Sequence, residues 1–470
     1  MNDGSVGHPT ARGSTTDVSG DGVGAASTAL DARRAASARR PHLPLGRAFE
    51  GLRFRPFRMY MGAMIWWNAA MSMEMLVRGY LAYQLTGSFA ALGVVSLSSA
   101  VPMLLLSPIG GLVADRRSRR SVLQLGQITS LVVAAIIAVL VFSGALAFWH
   151  LVLGAVAHGL TFAIVMPSRQ SLLPEVVGMG RLMNTIPLQT AGMNLMQILA
   201  PAAGGFLIDW IGPGWVYASM SAMYAISVGM LFFVRIMSPE ELERSRADTP
   251  SNAFVSDSTT STDDTRSAAS GRSLKGLASG FAYLGRDRTT LSLLAFAFLA
   301  SMFGMPIRML LPGYAGAVFG DDGSTLGLLQ MGMGLGALVG ALVLAALRVG
   351  RHRGLLLAAC AVLVGSSLIA FSSTGVFWVA WSALLVLGIG SAGRMAMGQV
   401  LVQEYVQNEY RGRVMAIYMM QFSLMSVGTF AVSIYMELVG PQMAIFSLGA
   451  VLIAATAAFV AFVPRFRAIA

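Results

Sequence analysis

Charge is what this 470-residue chain has least of: 12% of its residues are Asp, Glu, Lys or Arg, against 55% hydrophobic, and the mean hydropathy is +0.67. A soluble domain carries about 25% charged residues, and a soluble chain of this length divides into domains that each cover a core with charge. The 22 acidic and 33 basic residues are gathered into a few segments with long uncharged runs between them. A soluble globular enzyme, a disordered chain and a disulfide scaffold are thereby excluded, and a protein with many membrane spans remains. Lysine is almost missing. Lys275 stands alone in Gly271-Arg272-Ser273-Leu274-Lys275, which does not fit the glycine turn and lysine of a P-loop, so the chain carries no P-loop ATPase of its own. The single cysteine, Cys360, permits no intrachain disulfide and no cysteine-based metal site, and within an apolar run it reads as a small buried hydrophobe. The five histidines (His8, His42, His150, His158, His352) are scattered and form no His-Glu-x-x-His. No metal and no cofactor is expected.

The basic residues do not suggest nucleic acid, because they sit in short clusters between apolar runs. Residues 1–55 are rich in Gly, Ser, Ala, Thr and Arg and read as a disordered cytoplasmic tail with no signal-peptide pattern. A polar stretch near 238–275 divides the apolar remainder into two nearly equal halves. A membrane helix needs about 20 mostly apolar residues. Such runs fall near 59–82, 89–113, 122–143, 147–166, 186–208 and 215–234, then near 289–312, 325–347, 355–372, 377–397, 414–438 and 443–463. The fold expected is all-α and integral to the membrane, with twelve transmembrane helices in two pseudo-symmetric six-helix bundles. The bundles are placed at 56–236 and 287–464, the cytoplasmic linker at 237–286, and a cytoplasmic C-terminus at 465–470.

The arginines choose the side. Only Arg78, Arg308 and Arg394 fall inside spans. All other basic residues lie in the tail, the linker, the C-terminus or the loops after spans 2, 4, 8 and 10, and the opposite loops hold none. Both termini are therefore expected in the cytoplasm. Gln170, Leu172, Glu175 and Val177 recur as Gln399, Leu401, Glu404 and Val406 at an offset of 229, after the fourth span of each half. Two parallel halves of this kind are a known transporter plan. Gly332-x-Gly334-x-Gly336-x-x-x-Gly340 lies inside a span with no preceding strand, so it reads as a small-residue face for close helix packing.

After span 2 comes Gly110-Gly111-Leu112-Val113-Ala114-Asp115-Arg116-Arg117-Ser118-Arg119-Arg120. It resembles the major facilitator superfamily signature Gly-x-x-x-Asp-Arg-x-Gly-Arg-Arg, with Gly111, Asp115, Arg116, Arg119 and Arg120 matching and Ser118 in place of glycine. Tyr83-Gln84-Leu85-Thr86-Gly87-Ser88, Pro167-Ser168-Arg169-Gln170-Ser171-Leu172-Leu173-Pro174-Glu175 and Tyr410-Arg411-Gly412-Arg413-Val414-Met415 resemble its enterobactin-exporter-like and multidrug-efflux permease branch. The resemblance covers about 54–463 and is silent on substrate. In span 5, Pro201, Gly204 and Gly205 resemble the core of an antiporter signature, Gly-Pro-x-x-Gly-Gly, or serve to bend a helix and admit a neighbour. The resemblance implies a conformational gate after span 2, in which Asp115 docks on the start of span 11 with Arg411 and Arg413 as partners. The alternative is that Asp115 pairs within its own loop, with Arg119 or Arg120.

Ionisable groups inside spans usually face a cavity or a partner. Glu74 and Arg78 are four apart and share a helix face, as a structural pair or a functional one. Arg308 and Glu437 are expected near the outer surface, and Arg394 near the cytoplasmic end of span 10, where it reads as a loop charge. Together Glu74, Arg78, Arg308 and Arg394 are the candidates for a proton or substrate site. Burial favours the neutral form of a carboxyl, so a carboxylate suits proton carriage, and Glu74 is the first choice. Met71, Met73, Met75, Met302, Met305 and Met309 cluster in spans 1 and 7, as packing or as a surface for apolar ligands.

The expected function is secondary transport by alternating access, as proton-coupled efflux of an amphipathic or apolar small molecule from a bacterial-type cell. An importer or facilitator of a metabolite is the alternative. A polytopic enzyme or a non-transporting sensor ranks lower, because no catalytic constellation is found. The expected partners are a small-molecule substrate, protons and membrane lipid, with no nucleic acid, and the chain is expected to work as a monomer. Reporter fusions in loops 143–147 and 373–376 should report the outside, and fusions within 238–275 the inside; the reverse pattern would overturn the arginine-based orientation.

Overall fold

A computed structural model describes residues 50–116, 118–178, 181–247, 274–320, 322–347 and 353–463. Among the described residues there is helix and turn and no strand. The first six long helices are α1 (Arg55–Thr86), α2 (Phe89–Arg116), α3 (Arg119–Phe142), α4 (Phe148–Val177), α5 (Leu182–Ile211) and α6 (Pro213–Phe232). Two helices follow outside the apolar runs, α7 (Pro239–Ala247) and α8 (Leu274–Arg286), so the polar linker is partly helical. The second half comprises α9 (Arg288–Gly304), α10 (Ile307–Phe319), α11 (Gly323–Ala346), α12 (Arg353–Ser372), α13 (Phe377–Tyr405), α14 (Arg411–Met419), α15 (Gln421–Val439) and α16 (Pro441–Phe462).

Eleven of the described segments are long and apolar enough to cross a membrane. They are α2 to α6, the pair α9–α10, α11 to α13, the pair α14–α15, and α16. The twelfth crossing is α1, 32 residues long but more polar, since it carries Asn68, Glu74 and Arg78. Spans 7 and 11 differ from the uninterrupted helices expected. Span 7 breaks at Met305–Pro306, because proline supplies no N–H and disrupts the preceding turn. Span 11 is interrupted at Met420.

Helix ends follow local chemistry. α1 stops where Gly87 takes φ +63° and donates to the Tyr83 carbonyl at 2.7 Å. Asp287 caps α9, accepting from the Thr289 and Thr290 amides at 3.0 and 3.3 Å. α5 and α6 are joined by Gly212-Pro213, and α15 and α16 by Gly440-Pro441, with φ of +85° and +86° at the two glycines. The offset is 228, within one residue of the internal repeat in the sequence.

The two halves touch chiefly through α2 against α15 and α5 against α11. These seams are made of backbone. A Cβ on Gly205 would sit 2.2 Å from the Gly323 carbonyl oxygen, and one on Gly327 2.8 Å from the Pro201 carbonyl. On the other seam a Cβ on Gly93 would meet Ser433 Oγ at 2.0 Å. Each of these contacts lies toward the arginine-poor ends of the helices. Two carboxylates close the same end. Asp209 of α5 accepts from the Gly323 and Ser324 amides at 2.7 and 2.8 Å, at the start of α11. Glu437 of α15 accepts from the Phe89 and Ala90 amides at 2.8 and 3.3 Å and from Ser88 Oγ at 3.2 Å, at the start of α2. Along the Gly332 face, Gly336 and Gly340 of α11 pack on the Leu385 and Ile389 carbonyls of α13, which is the close packing expected.

Gly205→Val should force α5 and α11 apart. The expected cost is about 1–3 kcal/mol, as for other overpacked contacts, read as a lower melting temperature in detergent. An unchanged melting temperature would show that the seam does not depend on that approach.

Candidate functional site

The chemistry-bearing cluster forms around Glu74. An i,i+4 spacing on α1 puts Arg78 on the same face, and Arg78 donates to Glu74 Oε1 at 3.0 Å. Tyr224 of α6 donates its hydroxyl to Glu74 Oε2 at 2.8 Å. His158 of α4 places Nδ1 3.7 Å from Glu74 Oε1. Glu74 is 3% exposed and Arg78 8%. Tyr217, two turns before Tyr224 on α6, is fully buried with no hydrogen-bond partner for its hydroxyl. Glu74 and His158 also line a cavity of about 10 Å³ with Thr129, Ser130 and Thr161 and the apolar Val133, Gly154 and Ala157. At about 1.5 Å per residue, Glu74 lies ~18 Å from the Thr86 end of α1 and His158 ~15 Å from the Phe148 end of α4. The cluster is therefore within bilayer depth.

Three helices of the first half thus converge on one carboxylate. A cation, a phenol and an imidazole surround that carboxylate within the membrane-spanning part of the first half. Sequence reasoning found Glu74 and Arg78 but missed His158 and Tyr224. The signal for His158 was present, as an ionisable residue within the fourth apolar run.

Arg308 and Arg394 lie in the second half and do not join this cluster. Arg394 corrects an expectation. It is no loop charge but a buried residue, 3% exposed, because α13 continues eleven residues beyond it to Tyr405. It donates to Ser301 Oγ of α9 at 3.2 Å, and Ser301 donates to Gln421 Oε1 of α15 at 2.8 Å. Arg308, at the start of α10, is water-accessible although protein surrounds it. Glu437 lies at the arginine-poor end, on the start of α2.

Of the gate residues after span 2, Gly111, Asp115 and Arg116 end α2, and their side chains lie outside the described ones. Arg119 pairs with Glu175 of α4, and Arg120 donates to the Phe232 and Val234 carbonyls beyond α6. These two arginines hold the first half together at its arginine-rich end. Arg411 and Arg413 open α14, with Arg413 over the Tyr410 ring at 5.5 Å. Pro201, Gly204 and Gly205 fall where α5 meets two neighbours: a Cβ on Gly204 would meet Met73 of α1 at 3.4 Å, while Gly205 faces α11. Cys360 is partly buried. Among the described residues no group of His, Cys, Asp and Glu could hold a metal ion.

Comparison with known proteins agrees with this architecture. The chain is 22% identical over 356 residues to a Staphyloferrin A transporter of Staphylococcus aureus (strain NCTC 8325 / PS 47), covering 74% of this chain and 81% of the relative. It is 25% identical over 169 residues to an uncharacterized MFS-type transporter, YfiS, of Bacillus subtilis (strain 168), covering 36% and 38%. Among solved structures, a POT family transporter in complex with 5-aminolevulinic acid superposes with a TM-score of 0.66 at 13% identity, covering 88% of this chain and 96% of that one. The nucleoside transporter NupG gives 0.64 at 13%, covering 87% and 98%. The family model of the Major Facilitator Superfamily matches residues 59–429, with a further match over 291–468. That match covers most of the chain, and the chain belongs to the Major Facilitator Superfamily.

Proposed function

We propose that this secondary transporter exports an amphipathic small molecule by alternating access, with protons as the coupling ion and Glu74 as their carrier. The observation that carries the reading is the buried carboxylate of Glu74, held by Arg78 and Tyr224 and approached by His158 beside a small cavity. Ionised Glu74 balances Arg78. A proton on Glu74 removes that balance and leaves Arg78 as an unpaired cation within the bilayer, which is costly. The two protonation states therefore favour different surroundings for Arg78, as a coupling site requires. His158 supplies a relay between cavity and carboxylate.

Export is supported by the likeness to the enterobactin-exporter-like and multidrug-efflux branch and by the antiporter-like residues of α5. A small-molecule cargo is supported by the relative named a Staphyloferrin A transporter. The arginine distribution supports both termini inside. In this orientation the seams close the outer end, so the state described is closed to the outside.

Cells expressing the protein and loaded with a fluorescent amphipathic dye should lose efflux when a protonophore collapses the proton gradient. Efflux that outlasts the protonophore and stops on ATP depletion would sink the proton reading. Glu74→Gln keeps the shape but leaves one acceptor oxygen where Arg78 and Tyr224 each use one, and it cannot cycle between charge states, so energised transport should fall by about tenfold or more while membrane insertion is kept. Wild-type rates from Glu74→Gln would make the cluster structural.

A further inference from the structure

Two arginines in the second half lack what the first half gives Arg78. Buried cations are normally paired, because an unpaired one forfeits its hydration without return. Among the described residues Arg78 pairs with Glu74, Arg119 with Glu175, Arg235 with Glu241 and Arg353 with Glu404, but neither Arg394 nor Arg308 has a carboxylate partner. Around Arg394 the imbalance is one of donors. Arg394 Nε is buried and unpaired, and so is Gln421 Nε2, which is 3% exposed. Among the described residues the acceptor Arg394 reaches is the neutral Ser301 Oγ. A cation and an amide with spare N–H groups lack lone pairs, and an anion supplies them.

Arg308 lies on the same span as Ser301, beyond the break at Met305–Pro306, and is accessible where Arg394 is buried. Measured along α13, Arg394 lies ~25 Å from its arginine-poor end, and Arg308 lies ~16 Å from the corresponding end of α10. By that count the two cations differ in depth by ~9–10 Å. Beside them, Met302 is accessible and Met309 partly so. We propose that Arg394 and Arg308, with Ser301 and Gln421, form the subsite for the anionic end of the transported solute, a carboxylate or phosphate group, while the methionines of span 7 receive its apolar part. The guanidinium fork suits the two oxygens of such groups. This rests on the transport reading and names the substrate class for it.

Binding in detergent, without any gradient, separates this proposal from proton coupling. Melting temperature is measured against citrate, succinate and glucose 6-phosphate, with glucose and choline as neutral and cationic controls at matched ionic strength, and separately against phosphatidylglycerol and phosphatidylcholine. The anionic solutes should raise the melting temperature of the wild type. Arg308→Gln and Arg394→Gln should each weaken that effect about tenfold to a hundredfold in concentration, as expected for charge-assisted hydrogen bonds. Arg235→Gln, an exposed arginine of α6's trailing loop, should retain it. Should Arg394→Gln fail to fold, the accessible Arg308 carries the test alone. Anions no better than glucose, an effect that survives both substitutions, or stabilisation by phosphatidylglycerol alone would overturn the proposal. Anion binding that persists while Glu74→Gln transports normally would sink only the proton reading.

A second inference rests on separate observations. Asp209 precedes Gly212-Pro213 by three residues, and Glu437 precedes Gly440-Pro441 by three, so the two acids are equivalent positions of the internal repeat. Each accepts hydrogen bonds from the first amides of a helix in the opposite half, α11 and α2, which are themselves equivalent second helices. A helix start carries unpaired N–H groups and about half a positive charge, which a carboxylate stabilises. We infer that Asp209 and Glu437 are paired latches that hold the arginine-poor end closed. A contact made in one state alone shifts the population toward that state.

The test uses spin labels on Ala145→Cys and Gly375→Cys in a Cys360→Ser background, which report the distance between the two halves at that end. Asp209→Asn with Glu437→Gln should raise the long-distance population about tenfold, and each single substitution should raise it less. Restoring the carboxylates should restore the short distance. An unchanged distance distribution in a double variant of wild-type melting temperature would overturn the latch. If the double variant does not fold, Glu437→Gln alone decides, since its side chain is exposed and its contacts shown are all across the seam.

Discussion

Backbone meeting backbone at one end of two helix sets is the contact on which the rest of this structure depends. In a bilayer, lipid tails are as apolar as leucine, so helices gain little by hiding hydrophobic side chains from lipid. Close van der Waals approach and polar contacts must hold them. Gly205, Gly323 and Gly327 bring α5 and α11 within contact of each other's carbonyls, and Gly93 lets α2 approach Ser433 and the Phe430 Cα of α15. At the ends of these seams, where helix starts would leave amides unmet, Asp209 and Glu437 meet them from the other half. Since these contacts lie toward one end of the helices, they leave the opposite ends free to be arranged separately. Rocking about such short seams requires no helix to unfold.

The interior is asymmetric in charge although the halves share a topology. In the first half one carboxylate is satisfied by a cation and a phenol and approached by an imidazole. In the second half a buried guanidinium reaches one hydroxyl and keeps an unpaired Nε. Neither arrangement is there for stability, because an apolar set of similar volume would cost less to bury. The difference follows the helices that carry it. α1 is unbroken through Glu74 and Arg78, while its counterpart is divided at Met305–Pro306, just before Arg308.

The sequence made the architecture readable through features that act locally. Apolar run length and the arginine-free loops depend on nearest neighbours and on the bilayer; the first located twelve crossings and the second oriented them. Glu74 with Arg78 was readable for the same reason, since four residues along a helix fix their proximity. His158 and Tyr224 were not, because α4 and α6 reach Glu74 only through tertiary packing. Arg394 was misjudged because an apolar run was taken to end where polarity rises, near 397, whereas the helix runs on to Tyr405 as a partly exposed extension. Asp209 escaped notice because its partners, the first amides of α11, lie 114 residues away. Only the repeat with Glu437, visible once the hydrogen bonds are known, marks it in the chain.

The antiporter-like segment of α5 gains a physical role from what lies on either side of it. Gly204 packs against Met73, the residue next to Glu74, while its neighbour Gly205 packs against the start of α11 in the other half. On the far side of the same cluster, Gly79, next to Arg78, lies against Pro312 of α10, with a Cβ placed there only 2.8 Å from the proline ring. A change in charge at Glu74 or Arg78 therefore acts on a stretch of α1 that is clamped between α5 and α10. The approach of Gly79 to Pro312 is too tight to absorb a side-chain methyl without movement, and Gly204 lies in ordinary van der Waals contact with Met73, so a displacement of α1 bears on α10 and α5 through packed contacts. Coupling through a packed series of this kind needs an element with two arrangements. The short seam supplies that element: it is either closed, with both carboxylates seated on helix starts, or parted. The Glu74–Arg78 pair and the seam are thus joined through three consecutive contacts: Glu74–Arg78 within α1, Met73 on Gly204 with Gly79 on Pro312, and Gly205 on Gly323.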